Sequence, residues 1–429
     1  MSHLNRRRFL NSSIALGTSL AFAGPAWSSA SWRGPNDRIN LGFIGVGMMG
    51  RGHLGGFLGQ DDVQVVAVCD IEGTRRENAQ QQVENRYAER TKSGQFKGCT
   101  AYVDFRELLQ REDIDAVVIA TPDHMHVIPC MMAAAAGKDI YCEKPLTHSI
   151  REGRILVDCI RKHQTVFQTG SQQRSEFGGK FRQAAELVRN GRLGEIKTVR
   201  VGVGAPPIPC DLPAEEVPAN VNWDLWLGPA AYRPYNEILC PQGMHKHFPA
   251  FRKYREFAGG GLADMGAHHF DIAQWALGMD DSGPVKITPP TDGANSGLKF
   301  TYANGVEMFH GGPSGCTFEG TQGTLYVDRG QIKSDPDTIL KTPIGDTDQR
   351  VYYSDNHKRN WIDCIRSRKR PICDVEVGHR SASVCHLANI GYQLGQPLNW
   401  NPKTEAFDSA DANALLFREP REGWSYDIG

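Results

Sequence analysis

A short apolar strand that runs into a Gly-x-Gly-x-x-Gly turn and then a helix leaves few folds open to a chain. Here Ile39-Asn-Leu-Gly-Phe-Ile44 leads into Gly45-Val46-Gly47-Met48-Met49-Gly50, and a helix-compatible segment follows. The first Gly makes the tight turn, the second lets backbone approach a phosphate, and the third lets helix pack on strand. The N–H groups and dipole of the helix start then face an anion. A second strand, Val63 to Cys69, ends on Asp70, 20 positions after Gly50. An acid at that distance suits the ribose hydroxyls of an adenine dinucleotide and repels a 2′-phosphate. The pair of features predicts dinucleotide binding, with NAD preferred over NADP. Gly45, Gly47, Met48, Met49, Gly50 and Asp70 are the expected contacts.

At 429 residues the chain has room for two domains of about 150 residues or more each. Hydrophobic and charged contents of 40% and 23% suit a globular protein. The balance of 48 basic and 49 acidic residues gives no field to recruit nucleic acid or an anionic membrane, so neither is expected as a partner. No apolar run reaches the ~18 residues of a membrane span.

Asn5-Arg6-Arg7-Arg8-Phe9-Leu10, a weakly apolar segment from Ile14 to Ala23, and Ser28-Ser29-Ala30 follow the three-part plan of an export signal. Arg-Arg-x-Phe-Leu resembles the twin-arginine type, which carries folded proteins. Residues 1–30 are therefore expected to be a twin-arginine signal peptide, with a periplasmic or otherwise exported destination and a cofactor bound tightly enough to travel inside. The 11 cysteines are odd in number, lack a Cys-x-x-Cys pair, and are scattered, which predicts buried free thiols rather than a disulfide framework.

From Arg38 to about Gly170 strands and helices alternate, the pattern of a parallel sheet. Ala116 to Thr121 is a buried strand; Met125 to Ala136 is a helix stopped by Gly137. Ile140 to Cys142 is a strand, Ser149-Ile-Arg-Glu152 a capping box opening a helix to about His163, and Val166 to Thr169 a last strand. Arg75 to Thr100 reads as solvated helix and loop. Beyond Gly170 come a helix from Lys180 to Asn190, a strand from Glu195 to Val203, and a Pro-rich stretch from Ala205 to Pro249. Leu298–Tyr302 and Val306–Phe309 flank Ala303-Asn304-Gly305, a type I′ hairpin signal. Gly323 to Val327 continues the strands, and helices near Lys358–Ser367 and Gly378–Leu394 follow. Hairpins after strand–helix units predict an α+β second domain with a largely antiparallel sheet.

Three clusters carry chemistry. Thr121-Pro122-Asp123-His124-Met125-His126 and Glu143-Lys144-Pro145 stand at the carboxyl ends of consecutive parallel strands, where such folds place ligands. The third is Gly259 to Trp275, in which Asp264, His268 and Asp271 share one helix face. A capped, solvated helix start with Asp264 as N-cap is the alternative for that cluster. Joining His245 and His247 to Asp264 and His268 as a metal site has no recognised spacing, and no metal is expected.

With Trp223-Asp-Leu-Trp-Leu-Gly-Pro229, Gly45–Gly50, Thr121-Pro122 with His126, Glu143–Pro145 and Asp264–Asp271 in this order, the chain resembles the Gfo/Idh/MocA family (glucose–fructose oxidoreductase, inositol dehydrogenase, rhizopine catabolism). The match is to its exported branch and covers essentially everything after the signal. The resemblance implies an α/β NAD-binding Rossmann domain with a parallel doubly wound sheet at residues 36–170. It also implies an α+β substrate and oligomerisation domain with an open-faced sheet at residues 171–429. Lys144, Asp264 and His268 match the family's catalytic set: a Lys touching nicotinamide region and substrate hydroxyl, an orienting acid and a proton acceptor. Thr121, Pro122, His126 and Glu143 join Lys144 along the cofactor. Gln173, Arg174, Trp223, Tyr232, Arg233, His245 and His269 are expected near the substrate.

The implied activity is NAD(P)-dependent oxidation or reduction of a secondary hydroxyl on a sugar, sugar derivative or cyclic polyol. An NAD-dependent glycoside hydrolase with transient C3 oxidation is the first alternative, and a non-catalytic nucleotide-binding regulator the second. A homodimer or homotetramer is expected by analogy.

Overall fold

A computed structural model of the chain describes residues 38–428; the expected signal at residues 1–30 lies outside them. Six strands, β1 (Ile39–Ile44), β2 (Val63–Cys69), β3 (Thr100–Tyr102), β4 (Ala116–Ile119), β5 (Asp139–Cys142) and β6 (Phe167–Thr169), pair in the order β3-β2-β1-β4-β5-β6. All pairings are parallel. The strands are short and apolar because both sheet faces are covered: every residue of β4 and β5 is buried. Helices α1 (Met48–Leu58), α2 (Gly73–Arg86), α3 (Val127–Ala135) and α4 (Ile150–His163) supply the crossovers. The start of α4 is fixed by the expected capping box, with Ser149 and Glu152 each bonding the other's backbone N–H.

The second sheet is built from β7 (Ile196–Gly202), β8 (Lys286–Thr288), β9 (Lys299–Thr301), β10 (Glu307–Gly320), β11 (Gly323–Val327), β12 (Ile332–Asp335), β13 (Leu398–Asn401) and β14 (Ala406–Phe407). Its order is β12-β11-β10-β9-β8-β13-β14, with β7 beside β10, and its pairings are antiparallel. Val199, Val201, Met308, Phe318 and Leu325 turn inward and are buried. The other face carries Arg200, Phe309 and Glu319, with Arg200 bonded to Glu319 and stacked on Phe309. That face is open.

The hairpin between β9 and β10 differs from the expected type I′ turn. Gly305 N–H donates to Tyr302 O and Tyr302 N–H to Val306 O, and within Ala303-Asn304-Gly305 only Gly305 takes a positive φ, at 86°. A three-residue connection needs one left-handed residue after an ordinary turn, whereas type I′ needs two.

Of the remaining long helices, α5 (Lys180–Arg189) and α6 (Gly260–Leu277) pack in the core of the second sheet, α7 (His357–Ser367) packs on the parallel sheet, and α8 (Val375–Leu394) contributes to both cores. Helix α6 has buried residues on all sides from Leu262 to Ala276, so packing rather than an amphipathic pattern holds it. It begins four residues before Asp264, which is therefore not the N-cap; Gly259 is. The Pro-rich segment between β7 and α6 is irregular but has its own core, including Val221, Trp223, Trp226, Leu227, Tyr235 and Phe257. All eleven cysteines are free, and ten are buried. Among the described residues no helix is long and apolar enough to cross a membrane.

One buried cation fixes α6 against the parallel sheet. Arg174, just after β6, donates to both Asp271 oxygens at 2.8 and 2.7 Å, reaches Asp280 at 2.7 Å, and lies over the Trp275 ring. Ser381 on α8 donates to the same Asp271 carboxylate at 2.6 Å. Removing one partner of such a network leaves an uncompensated buried charge, so Arg174→Ala should cost about 3–5 kcal/mol. Urea unfolding will read this as a lower midpoint with an unchanged slope; a loss of the size seen for surface substitutions would contradict it.

Candidate functional site: a cleft roofed by the Pro-rich segment

The glycine turn behaves as its spacing requires. Gly45 has φ +84°, and a Cβ there would sit 2.7 Å from Ala120 O; at Gly50 it would sit 2.1 Å from Gly45 O. A Cβ on Gly47 would meet nothing within 4 Å, because that position faces an open cleft of about 860 Å³. Helix α1 starts at this cleft with Gly47 as N-cap, no capping side chain and no acid in its first turn. Its free N–H groups fit a pyrophosphate. Asp70 lines the same cleft, with Oδ2 accepting Val46 N–H at 2.9 Å and Oδ1 accepting Glu72 N–H at 3.0 Å. Those bonds fix its carboxylate beside the turn. Met48, Met49, Thr121 and Pro122 complete the wall. Turn, helix end and acid together fit an adenine dinucleotide.

The cleft has a roof. Trp226, Cys240, Pro241, His245, Phe251 and Arg252, all from the segment between β7 and α6, line its other side. Arg75 joins the walls: its Nε lies 3.4 Å from Asp70 and 3.5 Å from Glu72, while Nη1 reaches Pro241 O and His245 Nε2, both at 3.2 Å. Arg51 Nη2 donates to His245 O at 2.7 Å. The reading of Arg75 to Thr100 as solvated is thus corrected at its first residue, which is buried because Asp70, Glu72, Pro241 O and His245 surround its guanidinium.

Behind Arg252, one shared contact (Asp264) away from the cleft lining, β5 delivers Lys144. Its Nζ donates to Oδ1 and to the backbone O of Asp264, each at 2.8 Å, so the first turns of α6 are joined to the parallel sheet. Arg252 Nε lies 3.4 Å from the same Oδ1. Burial opposes ionisation of Asp264, but the Lys144 and Arg252 charges prevail and hold its carboxyl below its ordinary value. One turn further, His268 is buried and its Nδ1 has no hydrogen-bond partner among the described residues. Burial, then the Lys144 and Arg329 cations, holds this imidazole well below its ordinary 6.5. It is neutral near pH 7, so one of its two ring nitrogens is a free acceptor for a proton. Asp123, at the end of β4, is pushed up to about 7 by burial, against Arg252 and with Asp264 adding to the rise.

Several other expected residues lie elsewhere. His126 is buried between Thr121 O and Pro145 O, tying two loops together, and does not reach the cleft. Glu143 is buried beneath Lys144, accepting from His53 at 2.6 Å and Gln172 at 2.8 Å. Arg174 is spent on Asp271 and Asp280, as described above. Trp223 is stacked on Trp226 at 4.6 Å and donates to Arg233 O, so Trp226 lines the cleft in its place. Tyr232 is 73% exposed, and Arg233 serves the carbonyls of Cys210 and Leu212. His245 belongs to the cofactor roof. His269 is buried on Gly202 O at 3.1 Å. Gln173 is one layer back, 3.5 Å from His268 O and accepting from Arg329 at 3.0 Å. Asp123 lies inside the Thr121–His126 cluster but has no role assigned from sequence; Arg75, Arg252 and Arg329 are missed by sequence reasoning, which has no local signal for them.

Residues 39–171 match the family described as oxidoreductase family, NAD-binding Rossmann fold, and residues 209–426 match its C-terminal alpha/beta domain. The chain belongs to the Gfo/Idh/MocA oxidoreductase family. Family relatives include the rhizopine catabolism protein MocA of Rhizobium meliloti, 25% identical over 270 residues, or 63% of this chain and 64% of that protein. Another is glycosyl hydrolase family 109 protein 1 of Shewanella sp. (strain MR-4), 28% identical over 212 residues, covering 46% of this chain and 45% of that one. The chain thus spans less than two thirds of the length of these curated relatives. The WlbA dehydrogenase of Bordetella pertussis, solved with NADH and UDP-GlcNAcA, shares the Gfo/Idh/MocA fold at a TM-score of 0.57 and 18% identity, over 85% of this chain and 99% of that one.

The crowding at the turn gives a direct test. Gly50→Ala should weaken nicotinamide dinucleotide binding by at least about tenfold, the equivalent of 1.4 kcal/mol, read by isothermal titration. An unchanged affinity would mean that the turn does not carry the phosphates.

Proposed function

We propose that the protein is an NAD-dependent oxidoreductase acting on a secondary hydroxyl of a sugar, sugar derivative or cyclic polyol. The observation that carries this reading is the unpartnered, neutral His268 Nδ1, one helical turn from the Lys144–Asp264 pair. A bound dinucleotide supplies the two-electron redox chemistry. The chain supplies the rest. His268 accepts the hydroxyl proton, the Lys144 ammonium stabilises charge developing on the substrate oxygen, and Asp264 orients both Lys144 and the sugar. Partial burial strengthens each of these electrostatic effects.

Asp70 in the cleft supports NAD over NADP, and Arg75 is already engaged by Asp70, Glu72 and Pro241. The roof supports a cofactor held tightly enough to accompany the protein if residues 1–30 export it. Lys144→Ala and His268→Ala should each lower turnover by at least about a hundredfold while cofactor binding is retained. Full turnover in both variants would sink the reading. The acid limb of kcat/KM should fall well below pH 6.5, because burial and Lys144 disfavour the protonated, inactive imidazolium. A limb at or above that pH would remove His268 as the base.

A hydrolytic reading has one observation in its favour, the similarity to the Shewanella glycosyl hydrolase. It expects p-nitrophenol release from aryl glycosides with no net change in nicotinamide absorbance. Stoichiometric cofactor reduction without release favours the oxidoreductase.

A further inference from the structure

Charge around the reactive groups does not balance. Lys144 and Arg252 share one carboxylate, Asp264, at 2.8 and 3.4 Å. Arg252 is wedged between Phe248 and Phe251, 5.0 and 4.5 Å from their ring centres, and among the described residues its other hydrogen bond goes to Pro249 O. From the turn between β11 and β12 comes a third cation, Arg329. It lies over Phe177 at 5.1 Å, donates one bond to Gln173 Oε1, and forms no ion pair among the described residues. Gln173 Nε2 in turn lies 3.5 Å from His268 O, so one side chain separates Arg329 from the helix turn that carries His268. The acids that face these cations are few. Asp264 is shared, Glu176 lies toward Arg329, Asp123 is partly protonated near neutrality, and Asp328 caps its own turn through Gly330 and Gln331 N–H.

We propose that the substrate carries an oxyanion, a carboxylate or phosphoryl group, which Arg252 and Arg329 hold while Lys144 and His268 address the hydroxyl. The inference rests on the oxidoreductase reading of that same site. A guanidinium presents paired N–H donors that match either oxyanion, and such charge-assisted bonds are stronger than neutral ones. Aromatic rings flank each arginine, so its plane is set before the ligand arrives. With Asp264 shared between Lys144 and Arg252 and no ion pair to Arg329 among the described residues, a neutral sugar would leave positive charge in excess; an acidic one offsets it.

The test uses the full chain with its cofactor and three matched probes: glucose, glucuronate and glucose 6-phosphate, followed by galactose and galacturonate. Binding is read by isothermal titration and reaction by nicotinamide absorbance. At least one acidic probe should bind about tenfold or more tighter than its neutral partner, with the difference shrinking as salt rises. Whether the carboxylate or the phosphate member leads tells which oxyanion the arginines take. Arg329→Gln, an exposed position that tolerates change, should collapse the preference toward one, and Arg329→Lys should keep part of it. Equal or tighter binding of the neutral sugars, no binding by any acidic probe, or a preference untouched by Arg329→Gln overturns the proposal. Cofactor reduction by neutral sugars alone would overturn it and leave the oxidoreductase reading standing. Selective binding of the acidic probes without any cofactor reduction would do the reverse.

Discussion

The Lys144 ammonium, 2.8 Å from both the side chain and the backbone oxygen of Asp264, joins two structures that otherwise have separate cores. One end is the residue immediately before a cis proline after β5; the other is the opening of a helix buried on every side. Because the pair is partly desolvated, each charge is worth more than it would be in water. Asp264 stays ionised because Lys144 and Arg252 outweigh its burial, and His268 stays neutral first because it is buried and then because Lys144 is near. The same lysine thus bears on both the architecture and the protonation states.

Helix α6 could not present these groups without a second anchor. The Arg174–Asp271–Asp280 network fixes its rotation from the opposite end, and Ser381 adds α8 to the same carboxylate. Asp264, His268 and Asp271 follow one another at i, i+4 and i+7, so holding Asp271 fixes the direction of His268. The polar residues of this face thus divide their labour. Asp271 holds the helix, while Asp264 meets Lys144 and Arg252 and the His268 Nδ1 is without a partner among the described residues.

Much of this was legible before any coordinates. The Gly45–Gly50 turn, the alternation of buried strands with helices and the Ser149 capping box are set by neighbours in sequence, and all three form as read. The hairpin at Ala303–Gly305 was misassigned because two and three-residue connections share the Asn-Gly signal and differ only in strand register. The arginines were the harder case. Nothing in the residue type distinguishes a solvated Arg from Arg75 or Arg174, whose burial depends on carboxylates and carbonyls far away in the chain. Arg252 reaches Asp264, and Arg329 reaches Gln173 next to His268, from segments 77 positions apart (329 − 252), a convergence that only the tertiary fold produces.

The segment between β7 and α6 has a consequence for how the cleft can open. A bare loop frays residue by residue, and its ligand escapes through small fluctuations. This segment carries stacked Trp223 and Trp226, with Phe257 at 4.9 Å from Trp226, and is fastened to the opposite wall by Arg51 and Arg75. Such a unit opens cooperatively or hardly at all. Exit of a dinucleotide then becomes a small unfolding event, with a rate set by the stability of an aromatic cluster rather than by the strength of the phosphate contacts.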